Sequence, residues 1–95
     1  IETNKNTETI ADGLRTHLGD KNFPIIKELI SEIIRVDEDQ IISAMKLLWE
    51  RLKIVIEPSS AVAFAAFLKE RKRFEDKKIG IILSGGNVDL RSLPF

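Results

Sequence analysis

Ser84-Gly85-Gly86-Asn87 sets a hydroxyl, two residues without side chains and a carboxamide at the end of an aliphatic run, with Asp89 two residues on. Glycines permit positive φ and let backbone N–H groups approach a ligand closely. The run before Ser84, Ile79-Gly80-Ile81-Ile82-Leu83, suits a strand covered on both faces. Open α/β folds bind ligands just outside the carboxyl ends of such strands. An ordinary exit from strand to turn is the alternative, because a glycine pair alone is a weak signal. Glu57 follows three aliphatics, Ile54-Val55-Ile56, and opens a helix with an apolar body. It reads as electrostatic capping of a helix N-terminus or as a partly buried carboxylate facing a ligand. Asp12, before Gly13, reads first as a turn residue. His17 is the single histidine and reads as a surface or packing residue, since metal sites need several converging ligands.

The elements that must position these residues follow from periodicity. Asn22 and Pro24 start a helix over 22–31, with Ile25, Ile26, Leu29 and Ile30 on one stripe. Residues 32–36 read as a short strand. Asp37 with Gln40 resembles a capping box that opens a helix over 37–52. Its apolar stripe is Ile41, Met45, Leu48 and Leu52, widened by Ile42 and Trp49, which read as core. Pro58 with Ser59 and Ser60 starts a third helix over 58–71. Residues 61–68 are apolar all round and should be buried on every side. The charged run 69–73 reads as a solvated helix end, since acids interrupt it. Residues 78–83 form the second strand, and Leu90, Leu93 and Phe95 can dock the chain end. Residues 1–8 are a polar lead-in.

The totals bound the rest. Ninety-five residues allow one small domain. Fifteen basic and fifteen acidic residues cancel, leaving no electrostatic footprint for nucleic acid or an anionic membrane. The absence of cysteine removes disulfide and thiolate chemistry and is compatible with a reducing cytoplasm. No apolar run is long enough to span a bilayer. The chain opens on Ile1 without a signal-peptide pattern, which reads as a piece of something longer.

Four fragments then fit together in order: Thr9-Ile10-Ala11-Asp12-Gly13, Trp49-Glu50-Arg51-Leu52-Lys53, Ile56-Glu57-Pro58-Ser59-Ser60-Ala61 and Leu83-Ser84-Gly85-Gly86-Asn87-Val88-Asp89. The chain resembles the carboxyl-terminal part of a pyridoxal-phosphate enzyme of the threonine dehydratase and serine racemase group, with the tryptophan-synthase-β-like fold. Each fragment alone is weak, but the ordered set, running from Thr9 to Asp89, is specific. The resemblance implies an α/β fold, a partial three-layer sheet with flanking helices. Residues 9–95 would belong to the large cofactor-binding domain of a fold type II enzyme.

The resemblance also implies roles. Ser84 matches the serine whose hydroxyl hydrogen-bonds the pyridine nitrogen of pyridoxal 5'-phosphate. Gly85 and Gly86 match the turn beside the ring, Glu57 a carboxylate near the cofactor, and Asp12 the aspartate of a loop close to the site. Lys53 and Asn87 match positions at a nucleotide site between subunits. A serine hydroxyl donates to a neutral ring nitrogen, which weakens electron delocalisation into the ring and suits loss of a β-hydroxyl better than transamination. The implied reaction takes L-threonine or L-serine to a 2-oxo acid and ammonia, in a cytoplasmic homo-oligomer without nucleic-acid or membrane partners. The family's Schiff-base lysine, phosphate cup and metal motif lie upstream of anything present. No catalytic residue or metal ligand is therefore assigned to this chain, which is expected to be inactive without the remainder of the enzyme chain. The competing reading is a non-catalytic α/β interaction or regulatory module derived from the same fold. A nucleotide-binding module is a third, but the longer glycine spacing of a phosphate loop is missing.

Overall fold

Helix α1 spans Asn22–Leu29, α2 Glu38–Leu47 and α3 Pro58–Lys69 in the computed structural model, which describes residues 8–14 and 19–95. Helix α2 starts where the sequence says it should. The Asp37 carboxylate accepts the Gln40 N–H at 2.8 Å, and the Gln40 side chain accepts the Asp37 N–H at 2.9 Å. Two N–H groups that a helix start leaves without partners are thus satisfied reciprocally, and a cap of this kind contributes about 1 kcal/mol. The helix runs on through a turn of π geometry, Leu48–Leu52. Lys53 ends it in the left-handed region, at φ 57° and ψ 37°. That conformation costs a non-glycine residue roughly 1–2 kcal/mol.

The core lies between α2 and α3. Ile41, Met45 and Leu48 of the expected stripe are buried, together with Ala44, against Ala61 and Ala65 of α3 and Ile56 of the link between them, whereas Leu52, expected on the same stripe, lies in the π turn and is 59% exposed. Large side chains face small ones, so the two helices approach closely and Met45 is fully enclosed. Trp49 is half-buried. Its indole N–H donates to the Ile56 carbonyl at 3.0 Å, and its ring meets Phe95 edge-on at 5.5 Å. Of the chain-end residues, Leu93 packs against the core and Leu90 stays exposed.

Several expectations are corrected. Helix α1 ends at Leu29, and Asn22 is its first residue rather than its cap. Lys21 holds the cap position without a side-chain hydrogen bond. Helix α3 stops at Lys69, and Arg71–Phe74 form a separate 3₁₀ turn. Its apolar body is buried along one face only: Ala61 and Ala65 are buried, while Ala63 is exposed and Phe64 and Phe67 are half-buried. Those half-buried rings stack, Phe67 meeting both Phe64 and Phe74 at about 6 Å.

Among the described residues no strand forms, so the α/β sheet expected at 32–36 and 78–83 is not built. A strand exists through its ladder, and among the described residues neither segment makes a backbone-to-backbone hydrogen bond. Residues 32–36 are instead held by side chains. Lys69 donates to the Arg35 carbonyl at 2.6 Å and Arg73 pairs with Glu32 at 2.8 Å. The hydrogen bond to Glu32 raises the Arg73 pKa further above its ordinary value. Ile82 is 83% exposed, the reverse of what a strand covered on both faces requires. The molecule is a slab of 38 × 37 × 19 Å with a radius of gyration of 14.4 Å, against roughly 12 Å for a globular domain of this length. No helix among the described residues is long and apolar enough to cross a membrane.

Candidate functional site

The first turn of α3 gathers most of the candidate residues. Glu57 occupies the position before Pro58 with extended backbone, and its side chain makes no capping bond. Its backbone N–H instead donates to the Gly85 carbonyl at 3.1 Å. Ser59 accepts the Gly13 N–H at 3.0 Å. Ser60, buried to 2% exposure, accepts the Gly85 N–H at 2.7 Å and donates to the Gly85 carbonyl at 2.6 Å. This short segment of chain thus holds residues 84–86 on one side and the Asp12-Gly13 loop on the other; the turn expected at 84–87 is not formed, and the chain there is irregular.

Space rather than backbone angle constrains these two glycines, firmly at Gly86 and loosely at Gly85, since no glycine among the described residues has positive φ. A Cβ on Gly85 would sit 2.6 Å from the Glu57 carboxylate oxygen Oε1, and one on Gly86 would sit 2.6 Å from the Val55 carbonyl oxygen. The expectation of positive φ at these glycines is therefore corrected: they permit close packing against the 55–57 segment. Ser84 itself is exposed, with its Oγ 3.4 Å from the Ser60 Oγ.

Asp12 lies in a 3₁₀ turn, Asp12–Leu14, rather than in a simple turn. The loop before it is pinned to the start of α2: the Thr9 hydroxyl donates to one Glu38 carboxylate oxygen, and the Ile10 N–H donates to the other at 3.0 Å. Asp12 and Asn87 come together around a shallow cavity of about 220 Å³, with Pro58 and Asp89 also on its wall. Lys53 does not line that cavity and is exposed in its left-handed turn. Asp89 accepts hydrogen bonds from the Arg91 guanidinium and backbone N–H, which hold its carboxyl below the usual aspartate range. His17 lies outside the described residues. Among the described residues no three His, Cys, Asp or Glu side chains converge as metal ligands.

From sequence, Ser59 and Ser60 read only as helix-start signals. Their partners lie far along the chain, and the one local signal was a pair of small hydroxyl residues beside buried alanines.

The exposed Ser84 hydroxyl can donate to an acceptor, and the two glycines after it let the chain lie close against the 55–57 segment. Comparison with known proteins gives the family. Residues 1–85 match the family model described as pyridoxal-phosphate dependent enzyme. A serine racemase of Dictyostelium discoideum is 59% identical over 87 residues, covering 90% of this chain and 27% of that protein. A beta-hydroxyaspartate dehydratase of Paracoccus denitrificans is 47% identical over 88 residues, covering 93% and 28%. The solved structure of maize serine racemase superposes with a TM-score of 0.87 at 51% identity, over 95% of this chain and 29% of that one. A T.th. threonine deaminase gives 0.81 at 40%, over 87% and 30%. The chain spans under a third of the length of these relatives. With its backbone course and about half of its sequence in common with them, the chain belongs to the pyridoxal-phosphate dependent enzymes of fold type II.

Proposed function

We propose that this chain forms the pyridine-ring side of the active site in a pyridoxal-phosphate ammonia-lyase acting on a β-hydroxy amino acid, L-threonine or L-serine. The observation that carries the reading is the exposed Ser84 hydroxyl on a segment held from behind by Glu57 and Ser60. When bound, the cofactor supplies electron withdrawal from the substrate α-carbon. In this reading Ser84 donates a hydrogen bond to the ring nitrogen and leaves it neutral. Gly85 and Gly86 let the segment after Ser84 pack against residues 55–57, and Glu57 supplies a carboxylate near the cofactor. Asp12 and Asn87 face the neighbouring cavity, with Lys53 and Asn87 assigned to a nucleotide site.

The relatives support the substrate class. Serine, hydroxyaspartate and threonine, in the names of these proteins, share a hydroxyl on the β-carbon. Racemisation is the second reading, favoured by the 59% identity to a serine racemase. Both outcomes begin with proton loss at the α-carbon, and both use the same ring-nitrogen contact.

The remainder of the enzyme chain is the expected cover for the exposed apolar faces. The chain exposes 7820 Å², where a monomeric globular protein of this mass exposes roughly 5,500 Å². Leu29, Ile33 and Ile82 contribute to the excess. The test of the function is Ser84→Ala in the full-length protein. Dehydration of L-threonine or L-serine is expected to fall at least roughly tenfold, the loss of one charge-tuning hydrogen bond. An unchanged rate would refute the role of Ser84.

A further inference from the structure

The structure assigns to Ser60 a positioning role: by clamping both polar groups of Gly85 it fixes how Ser84 presents its hydroxyl and confines that hydroxyl to donating. This rests on the reading that Ser84 faces the cofactor ring nitrogen. Ser60 is the one buried polar or charged residue among those described. A serine hydroxyl has one proton and two lone pairs. The proton goes to the Gly85 carbonyl at 2.6 Å, and one lone pair takes the Gly85 N–H at 2.7 Å.

What remains on Ser60 Oγ is a single lone pair, 3.4 Å from Ser84 Oγ. With its proton committed, Ser60 can only accept from Ser84. That contact is at the long limit of a hydrogen bond and is readily exchanged for a better acceptor. A neutral pyridine nitrogen is such an acceptor and has no proton of its own to give. The Gly85 N–H belongs to the peptide plane that starts at Ser84. Holding it fixes the backbone rotation after the Ser84 α-carbon, and so the direction of the Ser84 side chain. Ser60 touches neither ring nor substrate in this account and acts through Ser84.

The test uses the full-length protein with three variants: S60A, S84A and the double variant. In the cofactor-free protein, amide exchange at Gly85 is expected to be roughly tenfold faster in S60A, the factor for losing one ordinary hydrogen bond. With cofactor carrying nitrogen-15 in the ring, the S60A resonance is expected to move in the same direction as S84A. The double variant should match S84A alone, because residues acting as one unit are non-additive. Should S60A fold poorly, Ser60→Cys keeps nearly the same volume, weakens both bonds and carries the same expectations at smaller size. Wild-type exchange at Gly85, or a wild-type ring resonance in the Ser60 variants beside a shifted S84A, overturns the inference. An unshifted S84A resonance would instead sink the reading of Ser84, and this inference with it.

Discussion

The Glu57 N–H donates to the Gly85 carbonyl at 3.1 Å, while the Glu57 carboxylate occupies the space where a Gly85 side chain would begin. One residue therefore supports this segment through its backbone and limits it through its side chain. Gly86 is bounded differently, by the Val55 backbone carbonyl. Gly85→Ala should displace a flexible carboxylate, costing little stability and weakening cofactor affinity. Gly86→Ala has no flexible neighbour to move and should cost about 1–3 kcal/mol of folding stability. Thermal melts and cofactor titrations of the two variants in the full-length protein separate these effects. Equal melting temperatures would contradict the assigned neighbours.

The 95-residue chain by itself should not hold pyridoxal phosphate on a specific lysine. All the described lysines are exposed. None receives the desolvation that makes a lysine amine a ready nucleophile. Borohydride reduction after mixing with the cofactor should give sparse labelling spread over several lysines. Stoichiometric labelling of one lysine, located by peptide mapping, would count against the assignment of the reactive lysine elsewhere.

Lys53 offers a way to separate backbone from side chain. Its left-handed backbone favours glycine, so Lys53→Gly should hold or raise stability by up to about 1 kcal/mol. If its ammonium contributes to a nucleotide site, the same variant loses the response of activity to added nucleotide. A stability loss in the melt would contradict the strained turn, and an intact nucleotide response would remove Lys53 from that site.

Asp89 and Arg91 make a pH prediction with a defined sign. The folded-state pKa of Asp89 is lowered, first by the Arg91 side-chain hydrogen bond and then by the Arg91 backbone N–H. Its contribution to stability is therefore present above the ordinary aspartate pKa and is lost as pH falls through the lower folded value. Both partners are exposed, so the effect is small and salt-sensitive. Carbon-13 NMR of the Asp89 carboxyl should show a midpoint below the usual aspartate range. Arg91→Ala should return it only partway, because the backbone bond survives. An ordinary midpoint in the unsubstituted protein would contradict the geometry.

What could be read from sequence follows the range of the interactions. The Asp37–Gln40 box and the Ile41, Met45 and Leu48 part of the α2 stripe were legible because their spacing repeats within a turn or two, whereas Leu52 falls in the π turn and is exposed. The order of the four fragments pointed to the family, because order over about eighty residues carries more information than any one motif. The strand expectation at 78–83 came from a run of aliphatics. Such a run reports that a segment is meant to be covered and says nothing about whether its partners are in the same stretch of chain. Ile82 shows the difference directly, being the most apolar kind of side chain and almost fully exposed. The Ser60–Gly85 clamp was illegible for the opposite reason. Its two halves are individually ordinary, and only tertiary proximity makes them a pair.

The hub at the start of α3 also bears on folding. Its bonds close long loops: 46 positions separate Ser59 from Gly13, and 25 separate Ser60 from Gly85. Each closure carries an entropy cost that grows only slowly with loop length and is recovered together with the packing of α2 on α3. Display of Ser84 is thus tied to the docking of α2 on α3 and not to local sequence alone. A chain whose helices have docked wrongly cannot display it, so ligand-binding competence doubles as proof that folding has finished.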